Sequence, residues 1–196
     1  GEFSVLAGPS GSGKTTLLNL IGGLDIADSG TVILDGHDYR TMSDGQRADL
    51  RLQSIGFVFQ SYNLIPVLTA AENVEYILRL QGVQKGERID RVNQILSEVG
   101  LADKQNSRPD ELSGGQQQRV AVARAVVSNP TVVLADDPTA NLDSKTGEKL
   151  LEMMKRMNEE HQVTCIFATH DQMVMDFAER IISLHDGRIA ADQCKR

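Results

Sequence analysis

Gly8-Pro9-Ser10-Gly11-Ser12-Gly13-Lys14-Thr15 is the stretch whose reading decides the fold. It fits G-x-x-x-x-G-K-[ST], a phosphate-binding loop. Phe3-Ser4-Val5-Leu6-Ala7 before it reads as a short buried strand, and Thr16-Leu17-Leu18-Asn19-Leu20-Ile21 after it starts a helix. That context separates the motif from a Gly-rich turn that binds nothing. Glycines at 8, 11 and 13 let the backbone turn where a side chain would clash, so several N–H groups point at one anion. The helix N-terminus adds its partial positive charge. Lys14 places an ammonium on the β/γ-phosphates, and the Thr15 hydroxyl is a candidate Mg²⁺ ligand. The whole run from Gly8 through Pro9, Ser10, Gly11, Ser12, Gly13, Lys14 and Thr15 to Thr16 is the expected nucleotide cradle.

The chain has 196 residues, which suits one large domain or one domain with an inserted subdomain. Its hydrophobic fraction is 40%, enough for a core, but aromatics are only 4%, so that core is built from Leu, Ile, Val and Ala. The net charge of −7 argues against a nucleic-acid groove. Nucleotide binding needs no basic surface, because backbone and Mg²⁺ build the phosphate site. Cys165 and Cys194 form no metal or C-x-x-C spacing; Cys165 lies in an apolar run and Cys194 in the polar tail. No stretch approaches bilayer-spanning length, so any membrane role needs a partner. The sequence begins at Gly1, almost on the phosphate-loop strand, and reads as a piece of something longer.

Further along, turns at 27–30 and 35–36 flank a strand over 31–34, and residues 41–53 read as helical. Ile55–Phe59 is an apolar strand ending on Gln60. Thr69-Ala70-Ala71-Glu72 is a capping box that opens a helix to about Gln81, and a second helix spans about 87–99. Residues 62–112 thus hold helices and no strand, a helical subdomain inserted into a core of 1–61 and 113–196. A helix follows over 115–128, then strand 131–135, helix 144–159, strand 163–168, helix 171–178, strand 180–184, and a turn at Asp186-Gly187 into strand 188–191. Strands alternating with helices predict an α/β fold with a mainly parallel, doubly wound sheet. Ligands bind beyond the C-terminal ends of such strands. Gly8–Thr15, Gln60, Asp136-Asp137 and His170 each follow a strand and converge on that rim. Asp136 ends its strand where a phosphate-loop enzyme holds Mg²⁺. Ser113-Gly114-Gly115-Gln116 is a capping box, yet its two glycines invite close approach of a phosphate to the helix N-terminus.

With these motifs in view the chain resembles the ATP-binding cassette (ABC) ATPases over nearly its whole length. The resemblance is carried by the Walker A loop Gly8–Thr15, the Q-loop at Gln60 and the signature Leu112–Gln116. It continues in the Walker B strand Val132–Asp136, the D-loop Ala140-Asn141-Leu142-Asp143, and the switch histidine His170. Phe57-Val58-Phe59-Gln60, Asn63-Leu64-Ile65-Pro66 and Leu134-Ala135-Asp136-Asp137-Pro138-Thr139 look most like the lipoprotein-release (LolD), macrolide-export (MacB) and division (FtsE) subgroup.

The resemblance implies the P-loop NTPase fold and ATP with Mg²⁺ as cofactors. It implies a homodimer closed head-to-tail around ATP, with the Walker A loop of one copy facing Ser113, Gly114, Gly115 and Gln116 of the other. Asp143 then lines the dimer seam, Thr15, Gln60 and Asp136 form the Mg²⁺ shell, and His170 holds the attacking water against the γ-phosphate. Lys14 neutralises charge on the transferred phosphoryl. A transmembrane permease, separate or fused, is the expected partner, docked near Tyr62–Glu72 at the cytoplasmic face of the inner membrane; nucleic acid is not. Two departures stand out. The general base is usually Glu in this family and here is Asp137, shorter by one methylene. A reach deficit of roughly 1 Å costs up to about a hundredfold in rate, so slow hydrolysis is expected. An FtsE-like nucleotide-gated regulator is therefore the alternative function. The family's N-terminal β-subdomain is also largely missing, and neither Tyr39 nor Tyr62 stands where its adenine-stacking aromatic belongs.

Overall fold

The computed structural model describes residues 1–195. Its main sheet has the order β4-β5-β6-β1-β7-β8, with β1 at Phe3–Ala7, β4 at Ile55–Val58, β5 at Val132–Asp136, β6 at Thr164–Thr169, β7 at Arg180–His185 and β8 at Arg188–Cys194. Every pairing is parallel except β7 with β8. These two strands are joined through Asp186 and Gly187, both at positive φ, as a two-residue hairpin with right-handed twist requires. Cys194 closes β8 rather than standing in a tail. A separate two-stranded ribbon, β2 (Ile33–Leu34) and β3 (His37–Asp38), folds about Asp35-Gly36. His37 is therefore a ribbon residue, and only part of the strand expected over 31–34 is paired.

Side-chain alternation divides the sheet into two packed faces, because successive strand residues point to opposite sides. Phe3, Val5, Val133, Ala135, Cys165 and Phe167 contribute to the larger apolar cluster, while Leu6, Val132, Leu134 and Ala168 contribute to the smaller. Phe3 and Phe167 stack at 4.4 Å between centroids, both fully buried. Burial on both faces explains why the strands read as unbroken apolar runs. Helix α1 (Lys14–Ile21) covers the smaller cluster through Leu18. The opposite face carries α5 (Gly114–Val126), α6 (Ser144–His161) and α7 (Gln172–Phe177). Gly56 of β4 lets α5 come close, since a Cβ there would stand 2.2 Å from the Ala125 carbonyl oxygen.

Helix α2 (Asp44–Ser54) precedes β4; α3 (Ala70–Leu80) and α4 (Lys85–Glu98) follow it, with no strand before β5. The Thr69–Glu72 capping box is formed in both directions. Val74, Leu78, Val92, Ile95 and Leu96 belong to the same apolar cluster as Val120 and Val122 of α5, so the helical segment shares its core with the sheet. The stretch 100–112 holds two 3₁₀ turns, at Ala102–Lys104 and Pro109–Glu111.

Candidate functional site

The strand order places β4, β5, β6 and β1 side by side and parallel, so their C-terminal ends share one rim. Gln60, Asp136-Asp137, His170 and the Gly8–Thr15 loop leave from those ends. A cleft of about 280 Å³ opens there, lined by Ser10, Gly11, Gly13, Lys14, Thr15, Thr16, Asp137 and His170.

The loop is shaped by contacts that only glycine permits. A Cβ on Gly8 would lie 2.4 Å from the Leu184 carbonyl oxygen, and Gly13 caps α1 with φ at 98°. Helix α1 starts without a side-chain cap and with no acidic residue in its first turn. Helices α2, α3, α5, α6 and α7 instead begin on Ser43, Thr69, Ser113, Asp143 and Asp171, each accepting a backbone N–H, and α4, which also lacks a side-chain cap, carries Glu87 in its first turn. The free N–H groups of α1 and its partial positive charge therefore point into the cleft. Lys14 is buried, and its Nζ donates to the carbonyl oxygens of Gly8 (2.7 Å) and Pro9 (2.9 Å), which holds the ammonium over the loop. Ser12 Oγ is buried with no partner.

Thr15 Oγ1 donates to Asp136 Oδ2 at 3.1 Å across the base of the cleft. Burial pushes the Asp136 carboxyl above its ordinary range; the Thr15 bond opposes this, the Asp137 charge adds to it, and Lys14 opposes it. Asp137 has φ of 39°, a left-handed backbone held by its N–H on the Ala168 carbonyl (2.9 Å). Its Oδ2 lies 3.7 Å from Nδ1 of His170, whose ring is exposed. The Thr15 hydroxyl and adjacent carboxylates form a hard-oxygen set suited to Mg²⁺, which takes few protein ligands and completes its shell with phosphate and water. Among the described residues no group of three or more His, Cys, Asp or Glu side chains is arranged to hold a metal unaided.

Helix α7 is capped by Asp171, not by Thr169: Asp171 Oδ1 accepts from Met173 N (2.9 Å), while Thr169 Oγ1 accepts from Asp171 N (3.0 Å). That arrangement leaves the His170 ring uncommitted to the cap. Asp171 Oδ2 also accepts from Thr139 Oγ1 (3.0 Å), tying the loop after Asp137 to the loop carrying His170. Thr139 and Asp171 are linking residues that the motif reading passed over.

Ser113–Gln116 does not line the cleft of its own chain. Ser113 Oγ accepts from Gln116 N (3.4 Å), and Gln116 Oε1 accepts from Ser113 N (2.9 Å). A Cβ on Gly114 would stand 2.9 Å from the Tyr62 hydroxyl, and one on Gly115 2.5 Å from Thr146 Cγ2. These glycines thus have a packing reason within the chain, one the sequence did not show. Asp143 caps α6 through Thr146 N (3.1 Å), and the hydrogen bond from the Thr146 hydroxyl holds its carboxyl below the ordinary range. Gln60 is exposed, and its carbonyl accepts from Asn141 Nδ2 at 2.8 Å. Tyr39 is buried with its hydroxyl on the Ile21 carbonyl (2.8 Å). Arg124 of α5 donates to the carbonyls of Tyr62 and Asn63. Its signal was a charge inside the apolar run Val120–Val127.

No helix among the described residues is long and apolar enough to cross a membrane. The profile of the family described as ABC transporter matches residues 1–140. An uncharacterized ABC transporter ATP-binding protein of Thermotoga maritima is 48% identical over 96% of this chain and 80% of its own length. The macrolide export ATP-binding/permease protein MacB of Aggregatibacter actinomycetemcomitans is 45% identical, and there the chain spans only 30% of the relative. The Methanocaldococcus jannaschii cassette MJ0796, solved as a dimer in a post-hydrolysis state with ADP and Pi, superposes with a TM-score of 0.90. It is 46% identical, over 100% of this chain and 86% of that one. With these matches and the phosphate cradle, the chain belongs to the ABC transporter family.

Proposed function

We propose that this chain is the ATP-binding, ATP-hydrolysing subunit of a membrane transporter of the lipoprotein-release or macrolide-export type. The observation that carries the nucleotide reading is the uncapped α1, with its N–H groups and the Lys14 ammonium on one cleft. An anion is the ligand that satisfies both. Gly8, Pro9, Ser10, Gly11, Ser12, Gly13, Lys14, Thr15 and Thr16 would bind the phosphates. Thr15, Asp136 and Gln60 would hold Mg²⁺, which when bound offsets charge on the phosphate oxygens. Asp137 would accept a proton from the attacking water, with His170 beside it orienting that water. Most of the rate enhancement would come from the prearranged charge of Lys14 and the loop amides.

Ser113–Gln116 of the same chain does not line this cleft. Ser113, Gly114, Gly115, Gln116 and Asp143 of a second copy would close it, which makes the homodimer the catalytic unit. A permease segment would dock in the groove of about 450 Å³ between α2, β4 and α3, lined mostly by apolar groups including Leu24, Phe57 and Tyr76. This puts the chain at the cytoplasmic face of the inner membrane, as a peripheral subunit or fused domain.

The test is the mass in solution of Asp137→Asn, which keeps the fold and removes the base. Saturating Mg-ATP should convert it to a dimer, and adding Ser113→Arg should return it to a monomer. A monomer at saturating Mg-ATP would sink the shared-site reading. The aspartate at position 137 also favours a second reading, a slowly hydrolysing, nucleotide-gated regulator of a membrane complex.

A further inference from the structure

Arg124 lies within Val120-Ala121-Val122-Ala123-Arg124-Ala125-Val126-Val127, whose other members are all buried. Arg124 itself is partly buried, on the groove between α2, β4 and α3, where a guanidinium still needs partners for the N–H groups withdrawn from water. Burial alone pulls its pKa below the ordinary value, and among the described residues no carboxylate pairs with it. Its partners are backbone: Nη1 donates to the Asn63 carbonyl at 2.5 Å and Nη2 to the Tyr62 carbonyl at 2.9 Å.

Both acceptors belong to residues in the left-handed region, with φ of 62° at Tyr62 and 49° at Asn63. Such non-glycine geometry persists only where surrounding structure enforces it. The loop's own bonds are sparse here: Tyr62 N donates to Phe59 O and Asn63 N to Ser61 O. Neighbouring side chains supply the rest. Asn141 holds the Gln60 carbonyl, and buried Asn73 donates to the carbonyls of Ile65, Leu68 and Thr69 while accepting from Ile65 N. A planar fork spans two adjacent carbonyls as a single ammonium cannot.

We infer that Arg124 is a positioning residue for Gln60: by clamping the Tyr62-Asn63 turn it sets where the Gln60 side chain stands relative to Thr15 and Asp136. This rests on the proposed reading of Gln60 as a Mg²⁺ ligand. Arg124 then acts on the metal through the loop backbone, one step beyond the partners that bond a ligand directly, whose loss costs roughly 10–100-fold in metal affinity.

The experiment is equilibrium binding of a non-hydrolysable ATP analogue, with and without Mg²⁺, so that turnover is not the readout. It compares the parent, Arg124→Lys, Arg124→Met and Gln60→Ala, and combines each Arg124 variant with Gln60→Ala. Hydrogen exchange at the Tyr62 and Asn63 amides and thermal unfolding run alongside. Arg124→Met should leave Mg²⁺-free affinity unchanged and reduce the Mg²⁺-dependent gain by about tenfold. Exchange at residues 62–63 should rise, Arg124→Lys should lie between, and neither should lower the gain further once Gln60 is alanine. Equal losses with and without Mg²⁺, or the full Arg124 effect persisting in Gln60→Ala, would overturn the assignment while leaving Gln60 as a ligand. If Gln60→Ala itself keeps the whole Mg²⁺ gain, the ligand reading fails and this inference fails with it. Should Arg124→Met not fold, Arg124→Lys in the two backgrounds decides the same question.

Discussion

Asp137 concentrates the chemistry of the cleft into one short side chain. Its left-handed backbone is pinned by the Ala168 carbonyl, so it has little freedom to make up the reach that a longer carboxylate would have. Asp137→Glu should therefore raise ATP turnover, by up to about a hundredfold; a steady-state assay giving the parent's rate would show that the aspartate already reaches its water. Asp136 makes a second prediction. Its folded-state pKa lies above the unfolded value because burial disfavours the charge. The sign follows: the folded state holds the proton more tightly, so ionised Asp136 opposes folding at neutral pH, and this penalty fades as pH falls through the raised folded-state pKa toward the unfolded value. Asp136→Asn should melt higher than the parent at pH 7 without nucleotide, with the difference shrinking as the buffer is acidified. A melting difference independent of pH would count against it. The same variant should lose Mg²⁺-dependent nucleotide binding.

At the scale of elements, the start of α5 has two demands on it. The Ser113–Gln116 box satisfies its free N–H groups, and Gly114 and Gly115 let Tyr62 and Thr146 pack against it. Gly115→Ala drives a methyl into Thr146 Cγ2 and should cost about 1–3 kcal/mol by denaturant unfolding. Thr146→Ser removes that methyl and keeps the hydroxyl on Asp143, now 2.6 Å away, so the double variant should recover most of the loss. Absence of recovery would mean that the glycine answers to something other than this contact. Helix capping was legible wherever a Ser, Thr or Asp sits beside its partner in sequence, as at Thr69–Glu72. At α7 the cap is Asp171, whose Oδ1 accepts from Met173 N two residues on, while the bond that its Oδ2 accepts from Thr139, remote in sequence, is one that only the fold supplies.

At the scale of the molecule, binding should register as stability. A ligand held by the folded state alone contributes about 2.7 kcal/mol at a hundred times its Kd, roughly 5–10 °C in Tm for a chain of this size. Mg-ATP should give this rise with the parent and no rise with Lys14→Ala, whose lost ammonium leaves the phosphates facing the loop without its counter-charge. With Asp137→Asn the rise should also grow with protein concentration, because a dimer forms. A concentration-independent Tm in saturating Mg-ATP would speak for a monomeric binding site.

The residues alone specified the strand–loop–helix of the phosphate cradle, the parallel α/β order and the polar clusters at strand ends. Those signals are local: turn chemistry, capping and apolar runs operate between near neighbours in the chain. Only the folded chain decided that β1 lies between β6 and β7, that Leu184 restricts position 8, that the signature glycines face Tyr62 and Thr146, and that Arg124 grips a loop some sixty residues earlier. Each of these joins groups far apart in sequence, and their closeness is set by how the helices cover the sheet.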